Sequence, residues 1–396
     1  MTSMTGTMIW EHNEKHFWLR GERPERMVSF DESLGYWNVY GYPEALRTMT
    51  EPATFSNNTA RMTPTPPELL AGNLVQMDAP EHLKLRNLVT HAFTQKTVMD
   101  LAPRIRGLAT ELIDAIEDPT RIELVDDLAY PLPVIVICEL LGIPAADRDL
   151  FRGWVEAMLE KTKAFTLTKP EEELAQDIQE YMERFQPFRD YLHACAEERR
   201  RRPREDLLSG LVAAELDGNR LSDNEIVNFV RFLLLAGHIT TSLLLGNTVL
   251  ALDAFPEQAR LVRENPDAIS GAIEESLRFL SPFASMGRVT TSEVELGGEK
   301  IGKDQLLIVW IAAANRDARQ FTDPDTFDLT RSPNPHIAFG RGAHFCLGAP
   351  LAKLESRIAL SVLYKRFPKL RTDPGRPPVV MESPNMTGVG KLPLIA

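Results

Sequence analysis

The hydrophobic pattern divides the chain into three textures. Residues 28–55, beginning VSFDESLGYWNVYGYPEALRTM, alternate apolar and polar positions around Gly35 and Gly41. That period of two predicts a short hairpin, followed by a helix. Residues 56–80 are rich in Pro, Asn and Thr and predict a long loop. Met62, Leu69, Leu70, Leu74 and Val75 inside it favour a functional loop over an idle one. From Glu81 to about residue 280 the pattern is mostly helical. Asp78-Ala-Pro80 gives a start signal before EHLKLRNLVTHAF, and Pro103 opens a second helix. Further helices are expected over roughly 133–141, 145–163, 170–200, 205–215, 222–254, 256–263 and 266–280. Alternation returns from 284 to 311, with Gly297-Gly298 between two runs, and predicts a second hairpin. A loop to about 345, a helix over 348–367 and a Pro-rich tail with short strands complete the chain. The small β part lies at both ends. The expectation is therefore a mainly α fold with small β-sheets, one intertwined domain over 1–396, in which about 1–27 form a flexible or substrate-capping segment.

Composition narrows the partners. The chain has 396 residues, 43% of them hydrophobic and 25% charged, enough for a large core. A net charge of −12 argues against nucleic acid and anionic membranes, both of which need a basic face. The most apolar stretch, Phe229 to Leu252, contains His238, Thr240, Thr241, Ser242 and Asn247. It reads as a core helix rather than a membrane span. The N-terminus has no apolar core of signal-peptide length. Three cysteines form no disulfide framework and fit a reducing, cytoplasmic setting. Cys138 and Cys195 are expected to be structural. Arg199 to Arg202 are expected to be a solvated helix end.

Cys346 sits in a different context, HIAFGRGAHFCLGAPLAKLESRIAL. Gly340 and Gly342 before it and Gly348 after it allow positive φ or close approach to a bulky planar group. A helix starting just past the sulfur would stabilise a thiolate. A zinc site needs four ligands, and only His344 and Cys346 are present here. A dinucleotide fingerprint lacks its third glycine. A nucleophilic cysteine with His344 as base is the alternative left open.

The run FGRGAHFCLG resembles the cysteine loop of the cytochrome P-450 family, Phe-Gly-x-Gly-x-His-x-Cys-x-Gly, at every fixed position. The likeness is to the soluble bacterial members. It implies haem b (iron protoporphyrin IX), held between a long central helix and this loop. Cys346 would be the metal ligand, Phe339 would pack beside the sulfur, and His344 would meet a propionate. Gly340 and Gly348 would also adjoin the cofactor. Four more segments agree. Glu275 and Arg278, alone an ordinary surface pair, are similar to the family's buried Glu-x-x-Arg. The arginine often added from the Pro-x-x-Phe loop is Thr326 here, and Arg331 is the candidate substitute. His82 and Arg86, four apart on one helical face, resemble a propionate pair, and Arg288 a further propionate arginine. LLLAGHITTS, 233–242, resembles the oxygen-binding segment, with Ala236, Gly237, His238 and Thr240 as its candidate residues. Ile239 replaces the usual acid, so protons would arrive through water, with His238 or a substrate hydroxyl taking part. Residues 314–327 match the loop after the hairpin and add no chemistry.

The resemblance implies a monooxygenase that inserts one atom of O2 by hydroxylation or epoxidation. Electrons would come from NAD(P)H through a separate ferredoxin and ferredoxin reductase. The docking face would be the cysteine side, with Arg104, Arg106 and Arg341 as candidate contacts. Met62, Leu74, Val75, Ile239, Phe283, Met286 and Met386 are the expected pocket. Their apolar character predicts a bulky lipophilic substrate. The Ala-Gly-His-Ile-Thr-Thr pattern resembles hydroxylases of macrolide biosynthesis, which favours a macrolide or other polyketide acted on by a monomer. A terpenoid, peptide or fatty acid is the alternative substrate. A peroxide-using or non-oxygenating haem-thiolate enzyme, and a haem-based gas sensor, are the alternative functions.

Overall fold

Strands from the two ends of the chain meet in one sheet. In the computed structural model, residues 13–62, 67–90, 93–147, 150–151, 153–154, 171–216 and 219–396 are described. The first hairpin is β1 (Val28–Asp31) and β2 (Tyr36–Val39), with Val28 opposite Val39. Helix α1 (Tyr42–Thr50) follows Gly41, with a proline in its first turn. The Tyr42 N–H at its start donates to Asp317 Oδ2 at 2.8 Å. A short β3 (Phe55–Ser56) comes next. The C-terminal third supplies β4 (Met286–Thr290), β5 (Val294–Leu296), β6 (Glu299–Ile301) and β7 (Leu306–Val309). The five-stranded order is β1-β2-β7-β4-β3, parallel only between β2 and β7. β5 and β6 form the expected hairpin. Gly297 and Gly298, at φ 59° and 84°, supply the left-handed residues of its turn. Val28, Val39, Phe55, Leu307 and Val309 turn inward and pack with Tyr42, Ala45 and Met49 of α1.

The helical part contains α2 (Glu81–Thr90), α3 (Ala102–Asp114), α4 (Pro131–Leu141), α5 (Glu171–Arg201), α6 (Asp223–Ala254), α7 (Ile269–Phe279) and α8 (Ala349–Arg366). Helix α6 is central and packs against α4, α5, α7 and α8. A capping box fixes its start. The Glu225 N–H donates to Ser222 Oγ at 3.3 Å, and the Ser222 N–H to Glu225 Oε2 at 2.8 Å. Its length and hydropathy would suffice to cross a membrane, but 72% of its apolar window is buried inside the protein.

Several elements differ from the sequence reading. The 56–80 loop contains short helical turns at Thr59–Arg61, Pro67–Leu70 and Leu74–Gln76. The helix expected over 205–215 ends at Ala213, and the chain turns back through two-residue strands at Glu215–Leu216 and Asn219–Arg220. Most of the helix expected over 145–163 lies outside the described residues, as do residues 1–12 of the N-terminal segment. Arg200 to Arg202 are exposed as expected, but Arg199 is 2% exposed. It donates to Asp206 at 2.7 Å and to the Gly142 carbonyl at 2.6 Å. Asp206 caps the helix at Leu207–Ala213 and Gly142 ends α4. Arg199 thus joins the ends of three helices, which a helix-end charge pattern does not reveal.

Candidate functional site

The cysteine loop is held in shape before Cys346 is reached. The Gly340 N–H donates to the Ile337 carbonyl at 2.9 Å, and the Cys346 N–H to the Phe339 carbonyl at 2.8 Å. Gly340 and Gly342 have φ near +70° (71° and 69°). A Cβ on Gly342 would also stand 2.8 Å from the Met49 carbonyl, so a side chain there is excluded twice over. Cys346 is an exposed residue just before the start of α8. Burial pushes its pKa up. The Gly348 and Ala349 N–H groups at the start of α8, and the Arg86 guanidinium, pull it back down.

A buried ion-pair network backs this loop. Glu275 and Arg278 on α7 are both fully buried, 2.7 Å apart at their closest. Arg278 uses its remaining N–H groups on the carbonyls of Asn315, Pro324 and Thr326, at 3.1, 2.8 and 2.9 Å. Glu275 also accepts from Arg331 Nε at 3.1 Å, from the Asp328 N–H at 3.0 Å and from Asn334 Nδ2 at 3.0 Å. Thr326 therefore contributes only its carbonyl, and Arg331 is the second arginine on Glu275. Asn315 Oδ1 accepts the Ile337 N–H at 2.9 Å, which links the network to the loop two residues before Phe339. The sequence reading gave the 314–327 segment no role. Its signal was the polar run Asn315-Arg316-Asp317, all of it buried.

A cationic cluster faces the loop from the other side. The His82 and His344 rings stack at 3.8 Å. Arg86 donates to the Phe345 carbonyl at 2.6 Å. Arg288 is 4% exposed and donates to the Gly287 carbonyl at 2.7 Å. His82 Nε2 and Arg288 Nε are buried without a partner. Burial, then His82 and Arg288, push His344 down to about 3. Burial lowers Arg288 to about 10. Asp78, which accepts from Ser56 and from the Asn57 N–H, is the carboxylate felt by Arg288 and both histidines. Buried donors this crowded suit an anionic acceptor.

On α6 the sequence-predicted residues divide between two faces. Ala236, Gly237 and Thr240 retain exposed surface, whereas His238 and Ile239 are buried. Thr240 Oγ1 donates to the Ala236 carbonyl at 2.6 Å, and Thr241 Oγ1 to the Gly237 carbonyl at 2.8 Å. The helix stays continuous through this point. His238 Nδ1 meets the Leu234 carbonyl at 2.6 Å, and its ring sits edge-on to Tyr130 at 5.2 Å. Two helical positions differ by about 200°, so His238 lies away from Thr240. His238 thus takes the local partner expected of an ordinary helix residue, and Ile239 is buried.

The expected pocket residues are also sorted by exposure. Phe283 is 37% exposed and Val75 45%. Phe283 is bridged to Met386, and Met286 reaches toward Gly340. Leu74, however, is 5% exposed and belongs to the core, while Met62 packs against the sheet beside Tyr36 and Leu306. Among the candidate docking arginines, Arg104 is held by Glu139 through bonds of 3.0 and 2.7 Å. Arg106 and Arg341 are exposed. Among the described residues no three His, Cys, Asp or Glu side chains gather as a metal site.

A single cysteine at a helix start, a long helix with an open Thr240 face and a cluster of two histidines and two arginines beside the cysteine loop define a haem-thiolate protein. The chain belongs to the cytochrome P-450 family, whose sequence pattern it matches over residues 44–394, and it is a monooxygenase of that family. It is 41% identical over 376 residues to the cyclomarin C epoxidase CymV of Salinispora arenicola, covering 94% of this chain and 93% of that one. It is 41% identical over 363 residues to the erythromycin C-12 hydroxylase of Saccharopolyspora erythraea, covering 90% and 88%. The solved structure of HmtT, involved in himastatin biosynthesis, matches with a TM-score of 0.88 at 52% identity over 98% of each chain. The family uses haem b and electrons from NAD(P)H delivered by redox partners. The residues present fit that group. Cys346 offers a sulfur at a helix N-terminus, and the partnerless His82 Nε2 and Arg288 Nε are the donors that propionates require.

Proposed function

We propose that this chain inserts one oxygen atom from O2, by hydroxylation or epoxidation, into a bulky lipophilic natural product. A macrolide or other polyketide is the first class to test. The observation that carries the reading is the pairing of exposed Phe283 with Met386, with Met286 of the same segment reaching Gly340 of the cysteine loop. The epoxidation of cyclomarin C by CymV and the hydroxylation of erythromycin at C-12 by its relative support it. Cys346 is the thiolate ligand. His82, Arg86, Arg288 and His344 hold the propionates. Phe339, Gly340 and Gly348 shape the loop around the sulfur. Bound haem supplies the oxidising chemistry, with the thiolate promoting O–O cleavage.

The protein's own part is to exclude bulk water, orient substrate and manage protons. Thr240 is partly exposed while Thr241 and Ser242 are buried, so Thr240 Oγ1 is the hydroxyl that meets the cleft. Its bond to the Ala236 carbonyl holds the proton at rest, and rotation about χ1 releases it toward the cleft. Ile239 carries no proton and His238 is turned to Tyr130, so water or a substrate hydroxyl replenishes Thr240. Ala236 and Gly237 leave room beside it. Ferredoxin, fed by its reductase, docks on the cysteine face through Arg106 and Arg341. The chain works as a cytoplasmic monomer.

The test is a Soret-band titration of the haem-loaded protein with macrolides, cyclic peptides, terpenoids and fatty acids. A shift with macrolides supports the polyketide reading. Shifts confined to terpenoids or fatty acids sink it. Cys346→Ser should lose turnover and the thiolate signature of the reduced carbon monoxide complex. The missing acid at 239 favours one second reading, a peroxide-driven enzyme. Turnover with peroxide that exceeds turnover with ferredoxin and NAD(P)H would establish that instead.

A further inference from the structure

The first described residues of the chain reach the wall of the cleft. A 3-10 turn at Phe17–Arg20 is anchored by Trp18, 1% exposed, whose ring meets Trp310 at 5.7 Å. Phe17 sets its edge against Trp18 and Tyr40, each at 5.2 Å. His16 lies fully buried beside this anchor, 5.0 Å from the Trp18 ring. Its Nε2 donates to the Pro384 carbonyl at 3.0 Å, across 368 positions of sequence. A carbonyl only accepts, so Nε2 carries the proton.

Pro384 opens the turn that carries Met386. The rest of that turn is tied to the segment before β4. The Ala284 N–H donates to the Asn385 carbonyl at 2.8 Å, and the Thr387 N–H to the Pro282 carbonyl at 3.0 Å. Ser285 Oγ meets Asn385 Oδ1 at 3.1 Å. Asn247 of α6 donates to the Thr387 carbonyl at 2.9 Å. These bonds fix Asn385 and Thr387, and His16 closes the near end. A methionine side chain adapts readily, so the backbone of this turn sets how far the wall projects.

We propose that His16 is a specificity-determining positioning residue: through the Pro384 carbonyl it fixes the 384–387 turn and thereby the reach of Met386 and Phe283 into the cleft. The proposal rests on reading those two side chains as substrate wall. His16 itself touches no substrate. Its loss should matter for ligands bulky enough to press on the turn and not for small ones.

The test compares wild type with His16→Phe and His16→Ala, which lack the donor, and His16→Gln, which restores an amide donor. The first readout is amide exchange across residues 381–388, measured with or without haem. The second is Soret titration of the haem-loaded chain with clotrimazole, which is bulky, and imidazole, which is small. Losing one hydrogen bond of about 1 kcal/mol corresponds to roughly fivefold in affinity. Faster exchange over 381–388, about fivefold weaker clotrimazole and unchanged imidazole are expected, with partial recovery in His16→Gln. Unchanged exchange overturns the clamp. Equal weakening of both azoles overturns the positioning role and leaves a merely structural one. If His16→Phe does not fold, His16→Ala carries the comparison. A chain that takes up no haem refutes the proposed function, while the exchange measurement still decides the clamp.

Discussion

The two sides that enclose the haem site are held by different kinds of contact. On the cysteine side the bonds join distant parts of the chain. Arg86 reaches Phe345 across 259 positions, Arg278 reaches Thr326 across 48, and Gly342 presses on Met49. On the α6 side Asn228 and Asn247 also reach distant carbonyls, but the hydroxyls and the imidazole around Thr240 serve their own helix. His238, Thr240, Thr241 and Thr248 each bond the carbonyl four residues back. The sulfur is therefore placed by many long-range contacts that must fail together. Thr240 is placed by one local bond, worth about 1 kcal/mol net, which it can give up during turnover. Rigidity belongs to the ligand and adaptability to the oxygen side.

That contrast is broken most directly at Arg278. Arg278→Ala leaves the Glu275 carboxylate fully buried and strips the Asn315 and Pro324 carbonyls of their donor, while Thr326 keeps Arg331. Losing one partner of a buried pair costs about 3–5 kcal/mol. Urea unfolding should show a drop of that size, together with loss of haem from the folded fraction. Arg331→Ala should cost less, about 1–2 kcal/mol, because Glu275 keeps Arg278, Asp328 and Asn334. An Arg278→Ala cost below that of Arg331→Ala would mean that the network does not anchor the cysteine side.

A second contrast on the same side is a carboxyl without a network. Glu355 lies on α8, 3% exposed, and its Oε2 has no partner. Burial pushes its pKa up from the ordinary carboxyl range to about 8. The folded state therefore binds the proton more tightly than the unfolded one. The stability this gives is complete below the unfolded pKa, declines as pH rises above it and is lost through about 8. Glu355→Gln should flatten that decline and be more stable than wild type at the alkaline end, by about 1–3 kcal/mol. Melting curves at several pH values between the two pKa values and above would show it. Parallel profiles for the two proteins would mean that Glu355 is solvated.

Much of the cysteine side was legible in the sequence because glycine spacing and helix starts are local signals. The loop around Cys346 and the hairpin at Gly297-Gly298 follow from residues within a few positions of one another. The buried state of Glu275 and Arg278 was legible only through the family resemblance, since an i,i+3 pair by itself reads the same on a surface. The contacts of Arg199 with Asp206 and Gly142, and of His16 with Pro384, depend on how helices and termini are brought together, which no local pattern encodes. The placement of His238 and Ile239 was hard to read for a related reason. Their segment was recognised by its run of residues, but which of them face the cleft depends on helix phase. A helix buried nearly all round carries little amphipathic pattern to reveal that phase.

Thr240→Ala gives the smallest expected change in stability and the sharpest test of the adaptable side. The hydroxyl bonds only its own helix, and such i−4 bonds add little to helix stability. Unfolding should shift by no more than about 0.5 kcal/mol. Consumption of NAD(P)H should continue while product formed per NAD(P)H falls and peroxide rises, because the proton held at Oγ1 is no longer available in the cleft. Thr240→Ser should recover much of the coupling, since it restores the hydroxyl without the methyl. Coupling that survives in Thr240→Ala would move the proton route to substrate or water alone. A stability loss approaching that of Arg278→Ala would show that the helix side is held as firmly as the sulfur, and the division between a rigid and an adaptable side would fall.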